Sequence, residues 1–365
     1  MQYVLTLLLI NAFVLLLCGV LTLAGRLLRQ AGRARLQINE QPREADCGQS
    51  LLNALAQQNV FLPAACGGKG TCGRCEVRVV EGGSPATTLE KLQLPADRLA
   101  ALARLACQAK VRGDMKVEIA AALLGAGSYL VRLESGEKVA ADIRTLRFSL
   151  PEGRNLEFLP GQYMQIVFNQ PWERVLRAYS IASAPSEKQS FSLDVQLVAG
   201  GLVSSHLHAM QPGDQIEVTG PFGDMTLSPK QHSSPLLLVA GGVGLAPLRS
   251  MVAALHESGF AAPVFLFHGA RSRENLYNEE FFRALARSCP NFHYFPALSR
   301  PMLEDGWTGQ KGMIHEILAA KMPALPATGL LAFICGPKPM MEAVNKVLVA
   351  GNVPSDRIFT DPFDF

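Results

Sequence analysis

The sequence predicts a multidomain chain: an N-terminal apolar helix, a small α+β domain, an antiparallel β-barrel and an α/β domain on a parallel sheet. Three observations carry this reading. Residues 3–25 run for 23 positions without a charge, the stretch CGGKGTCGRC at 66–75 sets three cysteines among four glycines, and strand–turn–helix units alternate after Pro235. The segments fall at residues 1–30, 34–122, 128–230 and 234–365. With 365 residues, 48 % hydrophobic and 18 % charged, the chain can bury several cores and is too apolar to be disordered. A net charge of +3 and the lack of an aromatic-studded basic run point away from nucleic acid.

The first element, YVLTLLLINAFVLLLCGVLTLAG, exceeds the about 20 apolar residues that cross a bilayer. Arg26, Arg29, Arg33 and Arg35 follow it. Positive flanks stay in the cytoplasm, so a single-pass transmembrane helix in the cytoplasmic membrane is expected, with everything after it cytoplasmic. A cleaved leader would carry its positive charge before the apolar run. The helix holds no acidic residue and offers no ion path of its own.

A cytoplasmic location keeps thiols reduced, which favours metal ligation over a disulfide framework. Cys66, Cys72, Cys75 and Cys107 form the pattern C-x5-C-x2-C-x31-C. A structural zinc site more often pairs two C-x2-C knuckles. Three ligands in a glycine-rich loop with a distant fourth match the plant-type [2Fe-2S] arrangement, with x5 where that pattern has x4. Gly67, Gly68, Gly70 and Gly73 allow positive φ, so that backbone N–H groups can curl around an anionic cluster. GQSLLNALAQQN before the loop has helical spacing and CEVRVVEGG after it alternates as a strand, the order of a β-grasp ferredoxin domain. Cys18, Cys47 and Cys289 lack any such context.

From Ser128, YLVRLES, VAADIRTLRFSL, YMQIVF and FSLDVQLV are short alternating segments between Gly and Pro turns, the pattern of an antiparallel barrel. Within it RAYSIASAP, GGLVSSHL and GPFG together resemble the flavin domain of the ferredoxin–NADP reductase superfamily. The resemblance implies FAD, with Arg177 on its pyrophosphate, Tyr179 against its ring and Ser180 near its reactive edge. Gly201, Ser204 and Ser205 would then meet the phosphates.

After Pro235, PLLLVAGGVGLAPLRSMVAALHESG reads as strand, glycine turn and helix, APVFLFHGAR as a second strand, and LLAFICGPKPMMEAVNKVL as a further unit. Such alternation implies a parallel sheet with ligands at the carboxyl ends of its strands. Gly241, Gly242, Gly244 and Pro247 would border a pyrophosphate at a helix N-terminus. Cys335, Gly336 and Pro337 resemble the superfamily element that faces nicotinamide, and the same resemblance implies that Phe363, near the end of the chain, stacks on the flavin.

Taken together, LPAACGGKGTCGRC, RLACQ, RAYSIA, GGVGLAPLRS, HGARSRENLY, DGWTGQKGMIHEIL and CGPKPMMEAV resemble the F subunit of the sodium-translocating NADH:quinone reductase over essentially the whole chain. That family implies NADH, FAD, one [2Fe-2S] cluster and integral-membrane redox subunits as partners. Hydride electrons would pass from NADH to FAD and singly to the cluster. Two departures stand out: only residues 169–176 link GQYMQIVF to RAYS, and the tail reads DPFDF. They keep open the alternative of a tethered reductase that supplies an oxygenase or other soluble metalloenzyme. Arg271 and Arg273 follow the second strand, where an arginine can meet a 2′-phosphate, but the family resemblance implies NADH.

Overall fold

A computed structural model describes residues 2–28, 32–170, 174–302, 304, 306–326 and 328–363, without the side chains of 2–5, 8, 21–28, 122, 362 and 363. The chain forms two compact units, residues 1–125 and 126–365.

In the first unit, α1 spans Gln2–Leu28. Its described apolar side chains are strongly exposed, Leu7, Leu9, Phe13, Leu15 and Leu16 among them. Among the described residues no helix is long and apolar enough to cross a membrane. Those whose side chains are described in α1 lie within 6–20, roughly 20 Å of helical rise against a hydrocarbon core of about 30 Å. The expected spanning helix is therefore not shown by the described residues.

The rest of the unit is a five-stranded mixed sheet in the order β2-β1-β5-β3-β4, from β1 (Arg33–Ile38), β2 (Gln41–Asp46), β3 (Glu76–Glu81), β4 (Ala103–Leu105) and β5 (Met115–Glu118). Here β1 and β5 pair in parallel, and the other pairs are antiparallel. Helix α2 (Leu51–Gln57) buries Leu51, Leu52, Ala54 and Leu55. The Ser50 side chain caps it by accepting from the Asn53 N–H at 3.3 Å. Two short helices that the sequence pattern does not announce, α3 (Thr88–Gln93) and α4 (Ala96–Ala100), fill the long gap before the fourth cysteine.

Glu90 of α3 ties that gap down. Its buried carboxylate takes two hydrogen bonds from Arg104 at 2.8 and 2.9 Å, and accepts from the Thr87 and Leu105 N–H groups at 2.7 and 3.0 Å. Burial pushes its pKa up, but Arg104 and those N–H groups outweigh burial and hold it below the ordinary value. A carboxylate with a depressed folded pKa stabilises above its unfolded pKa and loses that stabilisation as pH falls through the folded value. Acid titration followed at the cluster absorbance is thus expected to show the first domain weakening below about pH 4.3, where an unfolded glutamate protonates. Glu90→Gln, which strands Arg104, is expected to cost about 3–5 kcal/mol by denaturant titration and to flatten that acid limb.

The second unit opens with six antiparallel strands in the order β10-β7-β6-β11-β8-β9. They are β6 (Gly127–Lys138), β7 (Ile143–Ser149), β8 (Tyr163–Asn169), β9 (Arg174–Ser180), β10 (Ser190–Gln196) and β11 (Gln215–Phe222). A bridge from Ile181 to Leu193 links the two edge strands, so the sheet closes on itself around Leu146, Phe148, Phe191, Leu193 and Val218. Helix α5 (Leu202–Ala209) covers one end through Val203 and Leu207. The pairing of β8 with β9 runs out to Asn169 opposite Arg174, which makes the link between them shorter than the residues 169–176 read from the sequence.

The remaining strands are β12 (Leu236–Gly241), β13 (Val264–Ala270), β14 (Phe292–Leu298), β15 (Gln310–Lys311), β16 (Leu331–Pro337) and β17 (Ile358–Phe363). They form a parallel sheet in the order β15-β14-β13-β12-β16-β17. The helices are α6 (Leu245–Ser258), α7 (Glu279–Ser288), α8 (Ile314–Lys321) and α9 (Lys338–Ala350). Successive residues of β12 serve opposite layers: Leu236, Leu238 and Ala240 pack with α6 and α7, Leu237 and Val239 with α8 and α9. After β14 and β15 the chain returns to the other side of β12, which puts the switch point between β12 and β16, where ligands of open α/β sheets bind.

Candidate functional site

The cysteine loop joins α2 to β3. Gly67, Gly68, Gly70 and Gly73 all lie in the left-handed region, with φ of 67, 85, 80 and 69°. That curl turns the Gly70, Thr71 and Cys72 N–H groups onto the Cys66 sulfur. The four thiols fall into two pairs. Cys72 Sγ donates to Cys66 Sγ at 3.3 Å, and Cys75 stands next to Cys107, which pushes its pKa up. The Cys72 contact lowers the Cys66 pKa against the effect of burial, and Cys75 likewise lowers that of Cys107. Those of Cys72 and Cys75 are both raised.

One tetrahedral zinc needs its sulfurs around a single point at about 2.3 Å. Among the described residues no three His, Cys, Asp or Glu side chains converge on one ion. Two thiols for each of two irons, under a canopy of N–H donors, fit a [2Fe-2S] cluster. Gln108, whose amide lies 3.6 Å from Cys107 Sγ, joins the surroundings, although nothing in the sequence pattern singles it out. Cys47 and Cys18 enter none of these thiol contacts.

On the barrel, Arg177, Tyr179 and Ser180 lie in order along β9. Arg177 is half-buried and donates to the Leu176 carbonyl at 2.8 Å, with no carboxylate partner among the described residues. A guanidinium so placed suits a phosphate. Tyr179 packs on the barrel core, burial raises its pKa, and Ser180 is buried at the strand end. Gly201 caps α5, and a Cβ there would meet Ser204 Oγ at 2.6 Å and the Val198 carbonyl at 3.0 Å. The Ser204 hydroxyl accepts from the Val198 N–H at 3.2 Å and donates to the Gly201 carbonyl at 3.3 Å. Gly201 and Ser204 therefore serve the protein's own turn, while Ser205 is exposed in the first turn of α5.

At the switch point the glycine turn and the CGP stretch touch. A Cβ on Gly244 would lie 2.2 Å from the Cys335 carbonyl oxygen, and one on Gly241 would lie 2.4 Å from Met340 Sδ. These two glycines are needed for the close approach of β12 and its turn to β16 and α9. Gly242, with φ of 55°, has open space where its Cβ would be. Pro247 is buried in α6, Gly336 packs against Gly241, and Pro337 is exposed. Cys335 is fully buried and its S–H donates to the Asp361 carbonyl at 3.1 Å. The Phe363 backbone pairs with Pro337, but its side chain lies outside the described residues. Arg273 lies over the Trp307 ring and 3.8 Å from Glu279, while Arg271 is exposed.

Three family models match the chain: a 2Fe-2S iron-sulfur cluster binding domain over residues 36–112, an oxidoreductase FAD-binding domain over 130–227 and an oxidoreductase NAD-binding domain over 238–346. The F subunit of the Na(+)-translocating NADH-quinone reductase of Klebsiella pneumoniae is 32% identical, with all of both chains covered. The chain belongs to that F-subunit family. A second member, from Methylococcus capsulatus, is 32% identical over 97% of each chain. Among solved structures, the Amycolatopsis cytochrome P450 reductase GcoB matches with a TM-score of 0.73 at 27% identity, covering 90% of this chain and 98% of that one. Membership in the family supplies FAD, NADH and a [2Fe-2S] cluster.

Proposed function

We propose that the chain is the NADH-oxidising, electron-input component of a Na+-translocating NADH-quinone reductase, anchored in the cytoplasmic membrane by α1 and docked to integral-membrane redox subunits. The observation that supports this most is similarity over the full length at 32% identity, which takes in the apolar helix as well as all three domains. At 27 residues, α1 rises about 40 Å, and its described apolar side chains have water around them unless lipid or another polypeptide covers them. The oxygenase-reductase alternative is not favoured: the P450 reductase likeness covers less of the chain at lower identity.

The bound groups supply the redox chemistry, two-electron acceptance at FAD and one-electron transfer at the cluster. The chain supplies the placement. Cys66 with Cys72, and Cys75 with Cys107, hold the two irons. Arg177 holds the flavin pyrophosphate, Tyr179 and Ser180 hold its ring, and Ser205 stands at the phosphate end. Gly242 and the CGP stretch receive NADH, with buried Cys335 keeping water from the nicotinamide face and Phe363 closing the site from the last strand. The domains divide as residues 1–30, 34–122, 128–230 and 234–365.

Deleting residues 2–28 tests the anchor and the partner together. The shortened protein is expected in the soluble fraction with NADH:ferricyanide activity retained, while membranes of a host that depends on it lose NADH:quinone activity. Quinone reduction by the shortened protein at the full-length rate would contradict docking through α1.

A further inference from the structure

We propose that Asp194 and Arg249 are positioning residues for hydride transfer, clamping the helix after the glycine turn onto the strand end that carries Tyr179 and Ser180. The inference rests on the flavin and nicotinamide sites proposed above. Asp194 lies on β10, where every residue from Ser190 to Val195 is buried, so its side chain points into protein with no exposure to solvent. An unpaired carboxylate there would cost several kcal/mol, and each of its oxygens has partners. Thr145 Oγ1 donates to Oδ1 at 2.7 Å, Arg249 Nη2 lies 3.2 Å from Oδ1, and Tyr277 Oη donates to Oδ2 at 3.2 Å.

These partners come from both sides of one boundary. Thr145 and Asp194 belong to the barrel, whereas Arg249 belongs to α6 and Tyr277 precedes α7. Arg249 Nε also donates to the Ala182 carbonyl at 3.1 Å, and the neighbouring Ser250 hydroxyl donates to the Ser183 carbonyl at 2.7 Å. Ala182 and Ser183 follow the Tyr179–Ser180 strand end after one residue, Ile181, and Arg249 is in the first turns of the helix that leaves Gly244. The clamp thus ties the last residues of the flavin-bearing strand to the helix that begins at the nicotinamide turn.

Apolar packing also crosses this boundary, with Ala140, Ile143, Met225 and Leu227 joining the core under α6. Such packing is non-directional and tolerates sliding. A buried ion pair adds little net stability over an apolar pair of the same size but fixes orientation through its hydrogen bonds. Hydride transfer needs its two reacting atoms within about 3–3.5 Å, and a misplacement of about 1 Å costs roughly a hundredfold in rate.

The test is stopped-flow reduction of the FAD-loaded full-length protein in detergent by NADH, with flavin content, NADH Kd and the long-wavelength charge-transfer absorbance of NADH-bound flavin read in parallel. Asp194→Asn keeps the shape and removes the charge. It is expected to retain FAD and bind NADH within about threefold of wild type, while the limiting reduction rate falls roughly ten- to a hundredfold and the charge-transfer band weakens. Arg249→Lys, which can keep the charge but not both bonds, is expected to lie between. In Asp194→Asn/Arg249→Met the loss is expected to match the worse single variant, as for groups that act as one unit. A wild-type limiting rate in an FAD-loaded Asp194→Asn protein overturns the proposal, as does a loss confined to NADH Kd. Should Asp194→Asn fail to fold, Arg249→Lys and Tyr277→Phe decide it, and wild-type limiting rates in both overturn it. Wild-type flavin that NADH does not reduce would sink the functional reading itself, and the clamp with it.

Discussion

A Cys75→Ala protein is expected to bleach at the flavin band with NADH as wild type does, yet to give no iron–sulfur EPR signal and no NADH:quinone activity in membranes. Cys75 is the most buried of the four thiols, at 1% exposure, and immediately precedes β3. It is half of one of the two pairs, so its loss leaves one iron with a single protein sulfur and the cluster does not assemble. Alanine fits the buried site, and the Ala106 N–H still reaches the residue 75 carbonyl at 2.9 Å, so the sheet survives. Flavin reduction is spared because Arg177, Tyr179 and Ser180 belong to the other compact unit. An intact cluster signal in this variant would remove Cys75 from the ligand set.

The second large effect is expected at Arg177. Its guanidinium has no acid partner among the described residues and keeps one hydrogen bond within the protein, to the Leu176 carbonyl, so the main effect expected of Arg177→Ala is on the ligand. A charge-assisted hydrogen bond is worth about 1.5–3 kcal/mol, which is roughly a ten- to hundredfold weaker FAD affinity. The variant is expected to purify with little flavin, to regain NADH:ferricyanide activity when FAD is added in excess, and to keep a full cluster signal under dithionite. Stoichiometric FAD in the purified variant would place the pyrophosphate elsewhere. Lysine at 177 is expected to rescue only partly, since a point charge lacks the planar fork.

What could be read from the sequence was what depends on local pattern. The spacing C-x5-C-x2-C with its four glycines needed no tertiary information, because positive φ at those glycines is a property of the loop itself. The alternation of β12, α6, β13 and β16 likewise announced a parallel sheet, and the short alternating segments announced the barrel. Glycines gave less away. Gly241 and Gly244 look identical to Gly242 in the sequence, yet two of the three are there because β16 and α9 come close, a contact over about ninety residues of chain. Ser204 and Ser205 also look alike in the sequence, yet the Ser204 hydroxyl bonds its own turn and Ser205 beside it is the exposed one.

Long-range polar contacts were the least legible. Asp194 sits in FSLDVQLV, where alternation makes it look like an ordinary outward strand residue, but the strand is covered on both faces and the acid is buried. An acid inside a run of strand residues that turn out buried on both sides is the only signal it leaves, and its partners Arg249 and Tyr277 lie 55 and 83 residues away. Glu90 and Arg104 are hidden the same way, in a stretch whose two short helices carry no strong periodicity.

The proposed function requires electrons to enter from NADH at FAD and leave through the four-cysteine cluster of this one chain. The decisive experiment is anaerobic titration of the detergent-purified protein with NADH, followed by visible absorption and low-temperature EPR. Loss of the flavin band is expected together with the signal of one reduced [2Fe-2S] cluster, at one cluster per FAD. Flavin bleaching with no cluster signal, in protein shown to contain two irons per chain, would break that route at its exit.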